Sequence, residues 1–345
     1  VAKALNMKPE QVRLHMLYAG GSFGRRANPK SDYVLEAVEI AKAIKVPVKL
    51  VWTREDDMRA GYYRPMYYHT IDAGLDQDGN VSHWHWHIVG QSILAGTPFE
   101  PFMVKNGVDR TSVEGAANLP YQFANFQVEL HTPTHIQVPV LWWRSVGSTH
   151  TAYAGEVMID QLAKQAAIDP VTFRLKLLQG HPRHQGVLKL AAEKAGWGKP
   201  LEKGLFRGVA VHESFNSYVA EVAEVRLNDD GSYQVEKVVC AVDCGIAVNP
   251  DIIRAQMEGA IGFGLSALLS GKITLDEGRV VQSNFHDYTV LRMNQTPEFE
   301  VHIVSSGEAP TGVGEPGTPP IAPAVANALY AATGKHYGVL PLEKA

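Results

Sequence analysis

The chain has 345 residues, 45% of them hydrophobic, so it is long enough for two or more packed domains and lacks the apolar depletion typical of disorder. A formal net charge of −4 with only 20% charged residues argues against a basic surface for nucleic-acid phosphates. No stretch approaches the ~20 consecutive apolar residues that cross a bilayer. We therefore expect a soluble chain with no nucleic-acid partner and no membrane span.

The first elements are predicted from periodicity. Residues 11–19 alternate apolar and polar side chains as a strand does, and a glycine-rich turn follows at 20–24. Helical spacing predicts a helix over 31–44, with Ser31 or Asp32 available as N-cap. Residues 47–52 again indicate a strand, so this part of the chain predicts a strand, turn, helix, strand unit.

Turn signals and helical spacing predict the hairpins and helices in the rest of the chain. Three turns, at 78–80, 229–232 and 276–278, predict hairpins, and helices are expected at about 152–166, 170–179, 186–196, 250–270 and 320–333. The predicted fold class is α+β, with antiparallel and mixed sheets and packed helices. The polar stretch 179–186 is the candidate linker between domains spanning 1–180 and 181–345.

Two patterns with metal-ligand residues have simpler explanations. In segment 83–87 three histidines alternate with two tryptophans, but histidines ~6–7 Å apart along a strand suit one ion poorly. We expect a half-buried strand with its tryptophans inward. Cys240 and Cys244 would lie about 13 Å apart in an extended segment, too far for a disulfide, so we expect both to be buried packing residues.

The most distinctive local feature is the proline- and glycine-rich segment 308–320, which presents Glu315 just before a helix. Prolines stiffen such a loop, and glycines let a ligand approach its backbone. A carboxylate held away from bulk water has a raised pKa and can act as a base near neutrality. The alternative is a helix N-terminal charge that interacts with the helix dipole.

Three weaker candidates accompany this loop. The turn at 20–24 could bind an anion through its backbone amides, although it matches neither a P-loop nor a dinucleotide motif. Arg144 follows two tryptophans ahead of a helix, where the alternative is a stacked surface arginine. Gln256 lies in a glycine-spaced helix whose glycines helix packing alone would explain.

Taken in order, these segments resemble the large, molybdopterin-binding subunit of the xanthine dehydrogenase and aldehyde oxidoreductase family, and most of all its isoquinoline 1-oxidoreductase β-subunit type. The resemblance covers nearly the whole chain. The Gly-Val-Gly-Glu-Pro loop at 312–316 is its most specific part. The segments that carry it are 20–24, 53–58, 143–147, 243–245 with 249–250, 256–259 and 312–316.

The resemblance implies roles for individual residues. Glu315 would be the catalytic base that takes the proton from the attacking oxygen, and Arg144 would line the site near the metal. The cofactor would be molybdenum with molybdopterin cytosine dinucleotide. The residues expected to bind it are Gly21, Ser22, Phe23, Gly24, Gln256 and Gly314.

The resemblance also implies a molybdenum hydroxylase that oxidises a small molecule with oxygen from water. Its electrons would leave through an iron–sulfur partner subunit, because the chain has two cysteines and one 2Fe–2S cluster takes four. Ala27 and Val146 stand where xanthine enzymes carry a purine-contacting glutamate and a ring-stacking phenylalanine. We therefore expect an aldehyde or an N-heteroaromatic substrate rather than a purine.

Two elements of the family pattern are not found: the Met-Gly-Gln-Gly-type loop and the serine-rich segment that cradle the pterin. The chain therefore resembles the C-terminal half of a large subunit, and a second polypeptide or an upstream segment is expected to supply the other half. The compartment, bacterial periplasm or cytoplasm, stays open. A non-catalytic structural or assembly module of the same fold, without metal, is the competing hypothesis.

Overall fold

The computed structural model describes residues 1–342 and 344–345, which form helices and two main sheets. The helices are α1 (Ala2–Leu5), α2 (Asp32–Ile44), α3 (Arg54–Ala60), α4 (Glu100–Met103), α5 (Ser148–Gln165), α6 (Pro170–Leu177), α7 (Pro182–Lys194), α8 (Pro250–Ser270) and α9 (Ile321–Thr333). The strands are β1 (Tyr67–Leu75), β2 (Val81–Gly90), β3 (Val104–Lys105), β4 (Val108–Asp109), β5 (Phe126–His131), β6 (Leu205–Ser214), β7 (Ser217–Leu227), β8 (Tyr233–Asp243), β9 (Leu275–Asp276), β10 (Arg279–Val280) and β11 (Glu298–Ile303).

The first sheet has the order β1-β2-β5, with β1 and β2 antiparallel and β5 parallel to β2. The predicted turn at 78–80 closes the β1–β2 hairpin. Trp84 and Trp86 on β2 are buried, whereas His83 and His85 face outward. The segment 83–87 is therefore a half-buried strand with its tryptophans inward, as predicted.

The second sheet has the order β11-β8-β7-β6, in which only β11 runs parallel to its neighbour. One face packs against α7, where Val209 and Val211 meet Leu188, and the other face packs against α8 and α9. Because both faces are covered, most residues of the central strands β7 and β8 are buried. Cys240 lies on β8 and is buried, and Cys244, just after β8, is buried too, as expected.

A buried ionic cluster joins the helices to this second sheet. The Arg174 side chain on α6 is 0% exposed and binds Glu156 at 2.9 Å and Asp160 at 2.5 Å, both on α5. A Glu156 carboxylate oxygen also accepts the backbone N–H of Val211 on β6, and Asn327 on α9 donates to the Glu156 carbonyl. One guanidinium thus holds α5 and α6 in place, and through Glu156 it connects them to β6 and α9.

The predicted fold class, the hairpin turns and the five predicted helices are confirmed, with α5 and α7 beginning four residues earlier than expected. The strands predicted at 11–19 and 47–52 are wrong: neither range enters a sheet of the described residues. The linker predicted at 179–186 is wrong in part, because α7 begins at Pro182 and His184 is buried. The division at residue 180 stays a prediction.

None of the helices in residues 1–342 and 344–345 is both long and apolar enough to cross a membrane.

Replacing Arg174 with methionine should destabilise the chain by about 3–5 kcal/mol, because Glu156 and Asp160 would be left buried without their cation. Urea unfolding followed by circular dichroism measures the loss. As a control, Arg54→Met breaks the exposed Arg54–Asp57 pair and should change stability by no more than about 0.5 kcal/mol. Equal effects of the two changes would contradict the assigned importance of the buried cluster.

Candidate active site

The Glu315 loop, residues 308–320, connects β11 to α9 and is held by the turn between β6 and β7. The Ser217 hydroxyl donates to the Gly312 carbonyl at 2.8 Å and lies 2.7 Å from the Thr311 hydroxyl. The Thr311 amide donates to the Cys244 carbonyl at 2.9 Å. The turn itself is a two-residue hairpin in which Phe215 and Asn216 both have positive φ, so β6 continues into β7 without an inserted loop.

The Glu315 carboxylate faces the segment that carries Arg144. Its Oε1 accepts the backbone N–H of Ser145 at 2.9 Å, and the Ser145 hydroxyl donates to the Glu315 carbonyl at 2.6 Å. Ser145 is fully buried, whereas Glu315 is partly exposed. The carboxylate is therefore fixed in direction by a backbone donor, while the residue as a whole remains partly exposed.

Arg144 connects three regions that are far apart in sequence. Its Nε donates to the Gly314 carbonyl at 2.7 Å, and its Nη2 lies 3.3 Å from the Gln256 side-chain oxygen. Its guanidinium carbon lies 5.7 Å from each of the rings of Phe23 and Phe263, within cation–π range. Burial lowers the pKa of Arg144, while the nearby Glu315 carboxylate opposes that shift.

The glycine turn at 20–24 places Phe23 against this arginine. Gly24 has a φ of +104°, and a Cβ there would lie 2.0 Å from the carbonyl oxygen of Trp142, so only glycine fits. Phe23 stacks on Phe263 with ring centroids 5.1 Å apart. Gly21 and Ser22 complete the turn, and the Ser22 carbonyl accepts the Arg25 amide.

The Arg144 segment, residues 143–147, has a strained backbone. Ser145 and the β-branched Val146 both have positive φ, +69° and +48°, which costs on the order of 1–3 kcal/mol per residue. Surrounding contacts maintain it: the Val146 amide donates to the Trp143 carbonyl at 2.7 Å, and a Cβ on Gly147 would lie 2.0 Å from the Thr111 carbonyl oxygen. Strain of this kind concentrates at functional sites.

Beside this segment lies a small cavity of about 10 Å³, which has room for about one water molecule. Arg64, whose guanidinium carbon stands 4.4 Å from the Trp143 ring centroid, forms part of its lining with Val146 and His150. The cavity is too small for an organic substrate.

The open side of the site is lined by glycine. Beta-carbons added at Gly312 or Gly314 would meet nothing within 4 Å, and neither residue has a positive φ. No described protein atom would collide with a side chain at either position. A bulky ligand that lies close to this backbone, however, would leave room only for glycine. Donors and aromatic rings surround this space, and no group of three or more His, Cys, Asp or Glu in residues 1–342 and 344–345 could hold a metal directly.

The structure brings together Phe23, Arg144, Gln256, Gly314 and Glu315, all singled out from sequence. Segment 53–58 does not join them: it forms most of α3, where Glu55 accepts from Asn284. Segment 243–245 contacts the Glu315 loop rather than the site itself, since Gly245 packs against the Ala309 carbonyl of that loop.

Two residues of the site were not predicted from the sequence. Phe263 lies seven residues after Gln256 on α8, two helical turns along the same face, so the spacing could have revealed it. Ser145 acts through its backbone amide, which no sequence pattern distinguishes.

Comparisons with known proteins show which family the chain is similar to. Family models for the molybdopterin cofactor-binding domain match residues 1–178 and 147–297. The chain is 34% identical to the isoquinoline 1-oxidoreductase subunit beta of Brevundimonas diminuta, over 100% of this chain and 44% of the relative. It is 30% identical to the membrane-bound aldehyde dehydrogenase [pyrroloquinoline-quinone] of Gluconacetobacter polyoxogenes, over 100% of this chain and 48% of that protein.

The name of the second relative cites a different cofactor, pyrroloquinoline quinone. The assignment of a molybdopterin cofactor therefore depends on the matches to the two cofactor-binding domain models. Among solved structures, quinoline 2-oxidoreductase from Pseudomonas putida superposes with a TM-score of 0.77 at 12% identity, over 94% of this chain and 66% of that one. That likeness shows the fold. The chain spans about half the length of the curated relatives it matches.

Replacing Gly24 with alanine should displace the glycine turn from Arg144, because the added methyl group would collide with the Trp142 carbonyl. We expect a loss of at least about 2 kcal/mol in stability and a changed near-ultraviolet circular dichroism signal from Trp142 and Trp143. Gly20→Ala is the matched control, since a Cβ at Gly20 meets nothing within 4 Å. Identical spectra for both variants would refute the close approach.

Proposed function

The chain belongs to the molybdopterin-binding large subunits of the xanthine dehydrogenase and aldehyde oxidoreductase family, and on that premise we propose that it forms part of the catalytic subunit of a molybdenum hydroxylase. The observation that most directly supports this proposal is the Glu315 carboxylate, which the Ser145 amide orients beside Arg144. When bound, the molybdenum cofactor supplies the metal-activated oxygen nucleophile and accepts two electrons from the substrate.

Glu315 is the proposed catalytic base of this site. A base must point its carboxylate at the proton it takes, and the Ser145 amide fixes that direction while Glu315 remains partly exposed. Arg144 is proposed to line the site as a fixed positive charge that lies beside the stacked rings of Phe23 and Phe263 and is anchored to the Gly314 carbonyl.

The residues present fit a large cofactor lying over the glycine-lined side. Gly314 leaves room for the cofactor, and Gln256 on α8 presents a side-chain amide next to Arg144. We propose that the backbone amides of Gly21, Ser22, Phe23 and Gly24 contact the cofactor. The cytosine dinucleotide form of the cofactor is proposed from the resemblance to the isoquinoline 1-oxidoreductase type.

The proposed substrate is an aldehyde or an N-heteroaromatic compound, oxidised with oxygen from water. Ala27 and Val146 are small at positions where purine-oxidising relatives place larger contacting groups. The named relatives act, by their names, on isoquinoline and on aldehydes.

An iron–sulfur subunit is the proposed electron acceptor. Cys240 is buried within the second sheet, and burial raises the pKa of its thiol well above the ordinary value. The pKa of Cys244 is raised by burial as well. Two buried thiols cannot ligate a cluster that takes four cysteinates, which supports the proposal that electrons leave through cysteines outside these 345 residues, on a partner subunit.

A second partner is proposed from residues 1–60, here called the N-terminal unit. Helices α1, α2 and α3 contain no buried residue, and residues 13–21 and 46–52 form no backbone–backbone hydrogen bond with the described part of the chain. Leu14 and Met16 are 70% and 87% exposed. We propose that strands from the remaining half of the large-subunit fold, upstream or on another polypeptide, pair with these two extended segments.

The division into one molybdopterin-binding-type domain over 1–180 and another over 181–345 is retained as part of the proposal. The first contains the glycine turn and Arg144, and the second contains Gln256 and Glu315. The proposed site therefore lies where the two halves of the chain meet, at the hydrogen bond from Arg144 to Gly314.

Replacing Glu315 with glutamine removes the base and little volume, so turnover should fall at least about 100-fold while molybdenum and pterin content stay unchanged. Steady-state kinetics and metal analysis of the assembled enzyme measure both. Glu308→Gln, an exposed carboxylate on the same loop, is the control and should retain full turnover. Unchanged turnover in the Glu315 variant would eliminate the base, and an assembly without molybdenum or pterin would favour the non-catalytic module.

The partner proposal is tested with the part of the Brevundimonas diminuta subunit that lies outside the region matched here. Mixed with the 345-residue chain, it should protect the amides of 13–18 and 46–52 from hydrogen exchange. The double change Leu14→Asp and Met16→Asp should weaken binding at least about tenfold, whereas Val339→Asp, equally exposed, should not. Binding without protection of these amides would contradict the assigned surface.

A further inference from the structure

Arg64, between α3 and β1, is a cation held in place by neutral groups. Its Nη2 donates to the Thr149 hydroxyl at the start of α5, 3.0 Å away, and its guanidinium carbon stands 4.4 Å from the Trp143 ring centroid. It forms no ion pair with a carboxylate of residues 1–342 and 344–345, and the residue is exposed. An arginine has five N–H donors, so most of those of Arg64 are available to a ligand.

The charge of Arg64 persists near neutrality. The surrounding protein lowers its pKa to about 10 by desolvation, although part of the residue remains accessible to solvent. The groups whose charge acts on it are the phenols of Tyr67 and Tyr288, which are neutral near pH 7. The positive charge of Arg64 is therefore not neutralised by its described neighbours.

The cavity that Arg64 lines has mostly apolar walls, which include Ile93, Leu141, Trp143 and Val146. Its volume of about 10 Å³ gives room for one water-sized group. Apolar walls with one or two polar groups are typical of ligand sites, in which the polar groups fix the orientation of the ligand. One negatively charged oxygen fits this cavity, whereas an aromatic ring does not.

His150 lines the same cavity but adds no charge to it. The Trp86 indole can only donate, and it donates to Nδ1 of His69 at 2.9 Å, so neutral His69 carries its proton on Nε2 and donates it to Nδ1 of His150 at 3.1 Å. Burial lowers the pKa of His69 to about 4 and the pKa of His150 well below its ordinary value. Arg64 is thus the one cation among the described residues that line the cavity.

The cavity lies beside the residues that orient Glu315. The Val146 amide donates to the Trp143 carbonyl at 2.7 Å, so residues 143–146 form a tight turn whose ends lie within about 7 Å of each other. Both ends of the turn line the cavity, and Ser145 between them donates its amide to Oε1 of Glu315. A substituent of a molecule seated at Glu315 can therefore extend to Arg64.

Two carboxylates near this turn have partners of their own. Glu315 accepts the Ser145 amide at 2.9 Å, and the buried Asp109 accepts the amide and the hydroxyl of Thr111 at 2.8 and 2.7 Å. Neither forms an ion pair with Arg64. The guanidinium is thus matched in charge to an anion that the described residues do not supply.

From this geometry we propose that Arg64 binds a carboxylate substituent of the substrate, with one carboxylate oxygen entering the cavity. The substrate class is then an aldehyde or an N-heteroaromatic compound that also carries a carboxylate. A planar guanidinium matches a carboxylate in shape and charge, and the Trp143 ring and the Thr149 hydroxyl keep it in one orientation. The inference deepens the proposed function and depends on it for the identity of the bound molecule as the substrate.

The first test uses the 345-residue chain without cofactor. Benzoate should shift the amide NMR signals of Trp143, Val146 and Gly147, and it should bind at least about tenfold more tightly than benzamide, its neutral isostere. Arg64→Gln should weaken benzoate binding at least about tenfold, because hydrogen bonds between charged groups are lost. Arg64→Lys keeps the charge but not the planar fork, so it should retain part of the binding.

Arg279→Gln, a change at an exposed arginine on β10, is the control and should leave benzoate binding unchanged. Equal affinities for benzoate and benzamide, or no binding of either, would overturn the inference. The same holds if Arg64→Gln binds benzoate as the unaltered chain does. Loss of binding in both Arg64 variants together with a changed near-ultraviolet circular dichroism signal would indicate a structural role for Arg64 and count against the proposed one.

The second test compares uncharged and carboxylated substrates in the assembled enzyme: benzaldehyde with 4-carboxybenzaldehyde, and isoquinoline with isoquinoline-4-carboxylate. Arg64→Gln should raise KM for the carboxylated compound, so that its kcat/KM relative to the uncharged compound falls at least about tenfold while the ratio of kcat values changes little. An unchanged kcat/KM ratio in both pairs would contradict the inference. If the chain binds benzoate through Arg64 but Glu315→Gln retains turnover, the proposed function fails while the carboxylate site stands.

Discussion

The guanidinium of Arg144 is the contact on which the site depends. It joins the glycine turn through Phe23, helix α8 through Phe263 and Gln256, and the Glu315 loop through the Gly314 carbonyl. A planar cation with several fixed donors can satisfy aromatic faces and carbonyl oxygens at once, which a lysine could not do. Because Ser145 follows directly, positioning Arg144 also positions the amide that orients the Glu315 carboxylate.

This arrangement is maintained by contacts behind the site. The strained backbone at Ser145 and Val146 persists because Gly147 packs against the Thr111 carbonyl and Val146 is hydrogen-bonded to Trp143. The β6–β7 turn holds the Glu315 loop through Ser217, and the Arg174 cluster holds α5 beneath the Arg144 segment. The rigid second sheet thus supports a site whose other side is open.

The open side and the N-terminal unit both leave groups of the described residues uncovered. Glycines at 312 and 314 border space that the described residues do not fill, and the extended segments at 13–21 and 46–52 have unpaired backbones. Unpaired strands with exposed apolar side chains are templates for pairing with another chain. The chain spans about half the length of its curated relatives, and the proposed upstream or partner half of the fold would cover both features.

Periodicity and turn chemistry are local properties, so the sequence by itself determined the helices, the hairpins at 78–80 and 229–232, and the inward tryptophans of β2. The same periodicity misled at 11–19 and 47–52, because alternation predicts an amphipathic strand and contains no information on the strand that pairs with it. The order of short motifs indicated Arg144 and Glu315 as candidates. Only the tertiary structure decided that the Ser145 amide orients Glu315, because that contact joins segments 170 residues apart through a backbone atom that every residue shares.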